Sequence, residues 1–319
     1  MPAFLSRLAL AAFALGLFVA TAAAAAPETA SVRDFDWYDG TRQRAVPVRL
    51  YWPAGEQAVP LVVFSHGIGG SRRGYSYLGE HFASHGIASL HVQHVGSDRT
   101  LWTGNPFVLI SRLHAAAEER EALDRVRDLR FALDELLERS PAGGRIDRAR
   151  LAAAGHSYGA NTVMLATGAR VEREGRALEL RDPRIKAAVL LSAPPFYGED
   201  DPKKILHSLT LPTLHVTATE DVIQIPGYYS PASDRVAVFV ATGSNVMALA
   251  VFEGGSHSMF TNRPGTGGVT LNPQVKAATK ELALAFLQRV FEGRDEALAR
   301  WPQTHAAILA RWVKPAFAQ

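Results

Sequence analysis

Five short runs rich in apolar residues, Leu61–Phe64, Ile87–Val92, Ile185–Leu191, Leu211–Thr217 and Asn245–Phe252, constrain this chain more than any other feature. A run without polar alternation fits a strand covered on both faces. Between these runs lie segments with helical spacing: Tyr75–His85, stopped by Gly86, then Ala115–Arg139, Tyr158–Ala169 and Pro273–Phe291. Arg150–Ala154 reads as a further strand, and Phe35–Trp52, with turn signals at Asp39-Gly40 and Pro53–Gly55, as two antiparallel edge strands. Strands that alternate with helices predict an α/β fold with a mainly parallel sheet and helices on both faces. In Ala115–Arg139 the residues Leu123, Val126, Leu129, Leu133, Leu136 and Leu137 form the apolar face of one long amphipathic helix, and charged residues fill the other face. Gly96–Leu113 has no period and reads as an ordered excursion over one end of the sheet.

The 319 residues are 47% apolar and 20% charged, enough apolar surface for a sizeable core and far from the composition of a disordered chain. The 34 basic residues nearly balance the 31 acidic ones, so no basic stripe favours nucleic acid. With no cysteine, the chain has no disulfide, no thiolate nucleophile and no thiolate metal ligand. Residues 1–26 have the pattern of a cleaved signal peptide: Arg7, the apolar run Leu8–Ala20, then small residues up to Ala26 before Pro27. Cleavage is expected near Ala24–Ala26, leaving 27–319 as a single periplasmic or secreted domain. An uncleaved N-terminal anchor is the alternative, although the apolar run is short for a membrane span.

Gly155-His156-Ser157-Tyr158-Gly159 matches G-x-S-x-G, a sharp turn from strand to helix that exposes a serine. At average residue frequencies the pattern occurs by chance in roughly one chain of this length in ten, so its context matters. Here an apolar strand precedes it and a helical segment follows, as such a turn requires. The competing reading is a plain turn in which Ser157 caps the helix. A serine hydroxyl is a poor nucleophile until a histidine takes its proton and a carboxylate orients that histidine. His257, directly after the last strand, and Asp221, on the loop after Leu211–Thr217, give the chain order Ser, acid, His. Asp221 is preferred to its neighbour Glu220 because adjacent residues leaving a strand point opposite ways. Asp98, Glu199 and Asp200 stand next in line. The catalytic expectation is thus Ser157, Asp221 and His257, with His156 and His66 as structural rings.

An oxyanion needs two preorganised N–H donors. The Tyr158 amide follows the serine, and the glycine-rich Ser65-His66-Gly67-Ile68-Gly69-Gly70 loop should supply the other, from Ile68 or, as the close alternative, Gly67.

The segment from Leu61 to Arg72, continuing through Tyr77-Leu78-Gly79-Glu80 and Ala83–Gly86, resembles bacterial predicted dienelactone hydrolases and is similar to the platelet-activating-factor acetylhydrolases. With GHSYG and the Gly-Gly-Ser-His257 loop, the resemblance covers roughly residues 35 to 292. It implies an α/β-hydrolase fold, a Ser-Asp-His triad, and an oxyanion hole from the residue after His-Gly and the residue after the serine, here Ile68 and Tyr158. True dienelactone hydrolases use a cysteine nucleophile, which this chain lacks. In the acetylhydrolases the acid follows the strand after the serine turn, where this chain has Ser192, and the acid is therefore expected one strand later, at Asp221. The segment Glu220–Pro226 is also similar to the acid loop of bacterial cutinases, although Ile68 replaces their oxyanion-loop aromatic.

The expected activity is hydrolysis of a small-molecule carboxylic ester through an acyl-enzyme, without metal or organic cofactor. An amidase or peptidase of the same fold is the alternative enzyme, and a non-catalytic binding protein the alternative of another class. Trp102, Pro106, Phe107, Tyr197 and Tyr228 are expected to line an apolar acyl or alcohol site.

Overall fold

The structure is a computed structural model that describes residues 30–198, 201–225, 228–262, 268 and 270–317. The expected leader, Glu199, Asp200 and Pro226 lie outside them. In chain order the larger elements are β1 (Ser31–Asp39), β2 (Arg44–Trp52), β3 (Val59–Ser65), α1 (Ser76–Ser84), β4 (Ala88–Val92), α2 (Leu109–Ala117), α3 (Glu119–Asp134), β5 (Ile146–His156) and α4 (Tyr158–Thr167). There follow the small hairpin β6 (Glu172–Arg173) and β7 (Arg176–Ala177), then β8 (Ala187–Leu191), α5 (Pro202–Leu206) and β9 (Thr213–Ala218). The chain continues through β10 (Ile223–Ile225), β11 (Tyr228–Ser230), α6 (Ser233–Ala241), β12 (Met247–Phe252), α7 (Leu271–Glu292), α8 (Glu296–Thr304) and β13 (Leu309–Val313).

Nine strands form one sheet in the order β1-β2-β4-β3-β5-β8-β9-β12-β13. The inner run from β4 to β12 is parallel, and the antiparallel pairs are β1 with β2, β2 with β4, and β12 with β13. Because the inner strands are buried on both faces, alternate residues feed two separate cores. Leu61 and Val63 of β3, with Ala153 of β5 and Leu190 of β8, meet α3 and α4 on one face. Val62 and Phe64, with Ala154 and Val189, meet α1, α7 and α8 on the other. This doubly covered, mainly parallel sheet is the α/β-hydrolase fold that the sequence implied.

The chain leaves β3 for β4 on one side and then crosses to β5 on the other. β3 and β5 therefore flank a topological switch point, where ligands bind at the carboxyl ends of the strands. The loop Ser65–Gly70 leaves β3 at this edge, and Ser157 leaves β5 beside it.

Three features depart from the sequence reading. The segment read as one long helix breaks at Glu118, whose extended backbone (ψ 152°) separates α2 from α3, and it ends in a π turn over Glu135–Arg139. The charged face of α3 is not all solvated: Glu121, Arg125 and Asp128 are buried with their neighbours on the sheet side. Beyond α7 the chain also continues into α8 and the edge strand β13, which pairs antiparallel with β12 and was not foreseen. Among the described residues no helix is long and apolar enough to cross a membrane.

Candidate active site

Ser157 sits between β5 and α4 at φ 55° and ψ −123°, a conformation that L residues rarely adopt. Packing on either side forces this turn. A Cβ on Gly155 would lie 2.3 Å from the Gly159 carbonyl oxygen, and one on Gly159 would lie 1.9 Å from that of Ser65 at the end of β3. The two glycines thus let the strand, the new helix and the neighbouring strand close on one point. The Ser157 N–H donates to the Leu191 carbonyl of β8 (2.9 Å) and fixes the turn against the next strand.

The structure brings all three expected triad residues together. His257 Nε2 lies 2.7 Å from Ser157 Oγ, and its Nδ1 lies 2.7 Å from Asp221 Oδ1. His257 begins a short 3₁₀ turn after β12, and Asp221 stands three residues past β9, completely buried. Glu220 is exposed, as opposite pointing requires. The second oxygen of Asp221 accepts from Thr217 Oγ1 (2.7 Å) and from Ser192 Oγ. Burial pushes the Asp221 carboxyl up, but the bond and charge of His257, the Arg235 cation and the Ser192 hydroxyl outweigh it and hold the group well below the usual carboxylate range. Arg235 of α6, almost wholly buried, has its Nε 3.6 Å from Asp221 Oδ1 and donates through Nη1 to Ser230 Oγ (2.8 Å). Asp98, the next acid in line, instead caps a short turn through Thr100.

Ser65–Gly70 packs against the serine. The Gly67 N–H faces the Tyr75 hydroxyl (3.4 Å), Gly69 N–H donates to Ser97 O (2.8 Å) and Gly70 N–H to Gly67 O (3.0 Å). Among the described residues the Ile68 N–H has no acceptor, and neither does that of Tyr158, the first residue of α4. His66 Nδ1–H donates to Gly67 O (2.7 Å) while its Nε2 accepts from the His94 N–H (3.1 Å), so this ring pins the loop. His156 is likewise structural. Its Nε2–H donates to His257 O (3.0 Å), its Nδ1 accepts from Tyr75 Oη (2.7 Å), and burial lowers its pKa to about 3.

Arg125 and Arg235 were missed from sequence. Arg125 is wholly buried and donates to Thr162 Oγ1 (2.9 Å), Ser97 Oγ (2.7 Å), Ser65 Oγ (3.2 Å) and His66 O, and its guanidinium lies 4.4 Å from the Tyr158 ring centroid. A signal existed: Ala122, Arg125, Leu129 and Ala132 recur at spacings of three and four, which puts a cation in an apolar stripe.

A cavity of about 420 Å³ opens from Ser157. Tyr197 and Tyr228 line it, as expected, but Trp102, Pro106 and Phe107 do not. Phe107 is 95% exposed, and the Trp102 indole lies over Gly69 and donates to its carbonyl (2.9 Å). Of the excursion that carries them, Leu113 reaches the cavity, while Trp102 lies against the loop.

Residues 45–124 match the family described as platelet-activating factor acetylhydrolase, isoform II. This span holds β3 and the Ser65–Gly70 loop but stops before Ser157. The platelet-activating factor acetylhydrolase of Cavia porcellus is 24% identical over 273 residues, 76% of this chain and 59% of the relative. The chain thus spans about three fifths of that relative's length.

Arg125→Met should lower stability by about 3 kcal/mol, because four buried acceptors lose their donor together. The expected readout is a melting temperature lower by several degrees. An unchanged melting curve would show that the network carries no load.

Proposed function

We propose that this chain, a platelet-activating-factor-acetylhydrolase-like member of the α/β-hydrolase superfamily, hydrolyses carboxylic esters through an acyl-enzyme. The observation that carries the reading is the continuous relay from Asp221 through His257 to Ser157, both links 2.7 Å, at the mouth of a cavity. Ser157 Oγ attacks the ester carbon as its proton passes to His257 Nε2. Asp221 holds the Nδ1–H tautomer and stabilises the imidazolium. The carbonyl oxygen, now an anion, takes the Ile68 and Tyr158 N–H groups, the two that have no acceptor of their own. The leaving alkoxide collects the proton from Nε2, and water repeats the sequence to free the acid and Ser157.

The triad reading makes Asp221→Asn lose kcat on the order of 10⁴-fold with KM little changed, while Glu220→Gln stays within about twofold. Steady-state kinetics on a chromogenic ester and its matching anilide tests this and separates esterase from amidase. Ser157→Ala must also abolish labelling by a fluorophosphonate probe. A folded Glu220→Gln that proved the crippled variant would overturn the choice of acid.

Arg235 supplies the pH dependence. Its charge favours ionised Asp221, so Arg235→Gln raises the Asp221 pKa, and a protonated Asp221 no longer stabilises the His257 imidazolium. The acid limb of kcat/KM should therefore shift to higher pH in Arg235→Gln and return in Arg235→Lys. Superimposable pH profiles for folded variants would refute the role.

We also propose export, on the leader-like pattern of residues 1–26. Mass spectrometry of protein from the periplasm or medium should find a mature N-terminus near Ala25–Glu28. An intact Met1 on cytoplasmic protein would contradict it.

A further inference from the structure

The cavity beside Ser157 has a direction, and the direction identifies which half of an ester it takes. Its walls include Ser157 and both candidate oxyanion residues, Ile68 and Tyr158, but no residue of the His257 turn. A carbon bonded to Ser157 Oγ carries three other substituents. The oxyanion points to the Ile68 and Tyr158 amides, and the leaving oxygen must lie beside His257 Nε2 to receive its proton. The acyl chain takes the remaining direction, away from the histidine, and that is where the cavity runs.

The cavity is also deep. It follows one face of α4 from Tyr158 past Asn161 to Leu165, and beyond the helix it reaches Val171, Leu178 and Leu180. The seven helical steps from Tyr158 to Leu165 span about 10 Å. With carbon–carbon bonds near 1.5 Å in zigzag, an extended chain of about eight carbons covers that length. An acetyl group would leave most of the space empty.

The chemistry of the wall is apolar where the chain would lie. Asn161 Nδ2 is already committed to the Pro194 carbonyl (3.0 Å), and the charged residues at the far rim, Arg173 and Glu119, pair with each other (2.5 Å). Among the described residues no unpaired charge along this wall calls for an ionised headgroup or a terminal carboxylate at the chain's end.

We propose that the natural substrates are esters of unbranched apolar acids of medium length, about six to ten carbons, with the acyl chain laid along α4. This rests on the ester-hydrolase reading and goes beyond it by assigning the acyl side and the chain length.

The test compares p-nitrophenyl acetate, butyrate and octanoate, and octyl acetate as the reversed ester, on the full chain. In the wild type kcat/KM for octanoate should exceed that for acetate about tenfold or more. Ala122→Phe on α3 and Leu178→Phe after β7, which fill the distant half, should each lower octanoate about tenfold. Both should leave acetate and octyl acetate within about twofold. Equal rates for acetate and octanoate in the wild type, or losses shared by acetate or octyl acetate in the variants, would overturn the proposal while leaving ester hydrolysis intact. If neither variant folds, the wild-type series decides alone. A wild type that hydrolyses none of the esters and escapes phosphonate labelling would overturn the ester-hydrolase reading, and this proposal with it.

Discussion

The loop after β3 and the helix that begins at Tyr158 belong to different βα units, and what joins them is a fully buried cation. Arg125 reaches the loop through His66 O and Ser65 Oγ, and the helix through Thr162 Oγ1, whose own proton goes to Tyr158 O (3.0 Å). Each hydroxyl it touches passes a hydrogen bond onward. Ser97 donates to Glu121 (2.7 Å), and Ser65 to His94 Nε2 (2.9 Å), whose Nδ1–H faces Asp128 (3.1 Å). Among the described residues the guanidinium thus has no carboxylate in direct contact: Glu121 stands one hydroxyl away, and Asp128 a hydroxyl and an imidazole away. Burial lowers its pKa to about 10, so it stays charged near neutrality. A lysine has three donors on one atom and could not reach these separated acceptors in the same plane. The spacing of Ile68 and Tyr158, on which the proposed oxyanion site depends, is therefore set by a residue on a third element, α3.

The carboxylate of the proposed triad stands one strand later than the resemblance to the acetylhydrolases implies. After β8, where the resemblance to the acetylhydrolases places an acid, this chain has Ser192 at φ 51°. The residue is not vestigial in its contacts: its hydroxyl donates to the acid that arrives from the next strand, Asp221. Neighbouring parallel strands end side by side at the same edge, so a carboxylate leaving β9 can reach the same imidazole as one leaving β8. The longer approach is stabilised by Thr217 and Arg235.

The inner strands and the turn at Ser157 were legible because both are local. An uninterrupted apolar run has few other folded uses, and the glycines of the elbow answer to backbone contacts within a few residues or on the adjacent strand. Chain order then led to Asp221 and His257 without knowledge of any long-range contact. The aromatic excursion misled because composition reports apolar surface without reporting its direction: Trp102 packs on the outer side of Gly69, and Phe107 meets solvent. The break at Glu118 has no glycine or proline to announce it, and β13 is a half-exposed edge strand that lacks the continuous apolar run of the inner ones. Arg235 was unreadable for a further reason. Its partner lies on a different loop, and nothing near it in sequence distinguishes a buried cation from a solvated one.

Several histidines crowd this edge of the sheet, and burial separates their roles. His66, His94 and His156 are each almost wholly enclosed, and the loss of hydration depresses their pKa, so all three stay neutral at ordinary pH. Both nitrogens of each ring are engaged with backbone groups, a hydroxyl or a carboxylate, which fixes their tautomers and leaves them no proton to exchange. His257 differs in its partners rather than in its neighbourhood. One nitrogen meets a carboxylate held ionised, and the other meets a serine hydroxyl at the opening of a cavity. The enclosed rings also place it: His156 holds the His257 carbonyl and lies tilted against its ring, with 4.9 Å between the centroids, and through Tyr75 it connects that turn to the loop after β3. A ring that cannot gain a proton is a rigid spacer, and here the spacer helps to hold the His257 ring between Asp221 and Ser157.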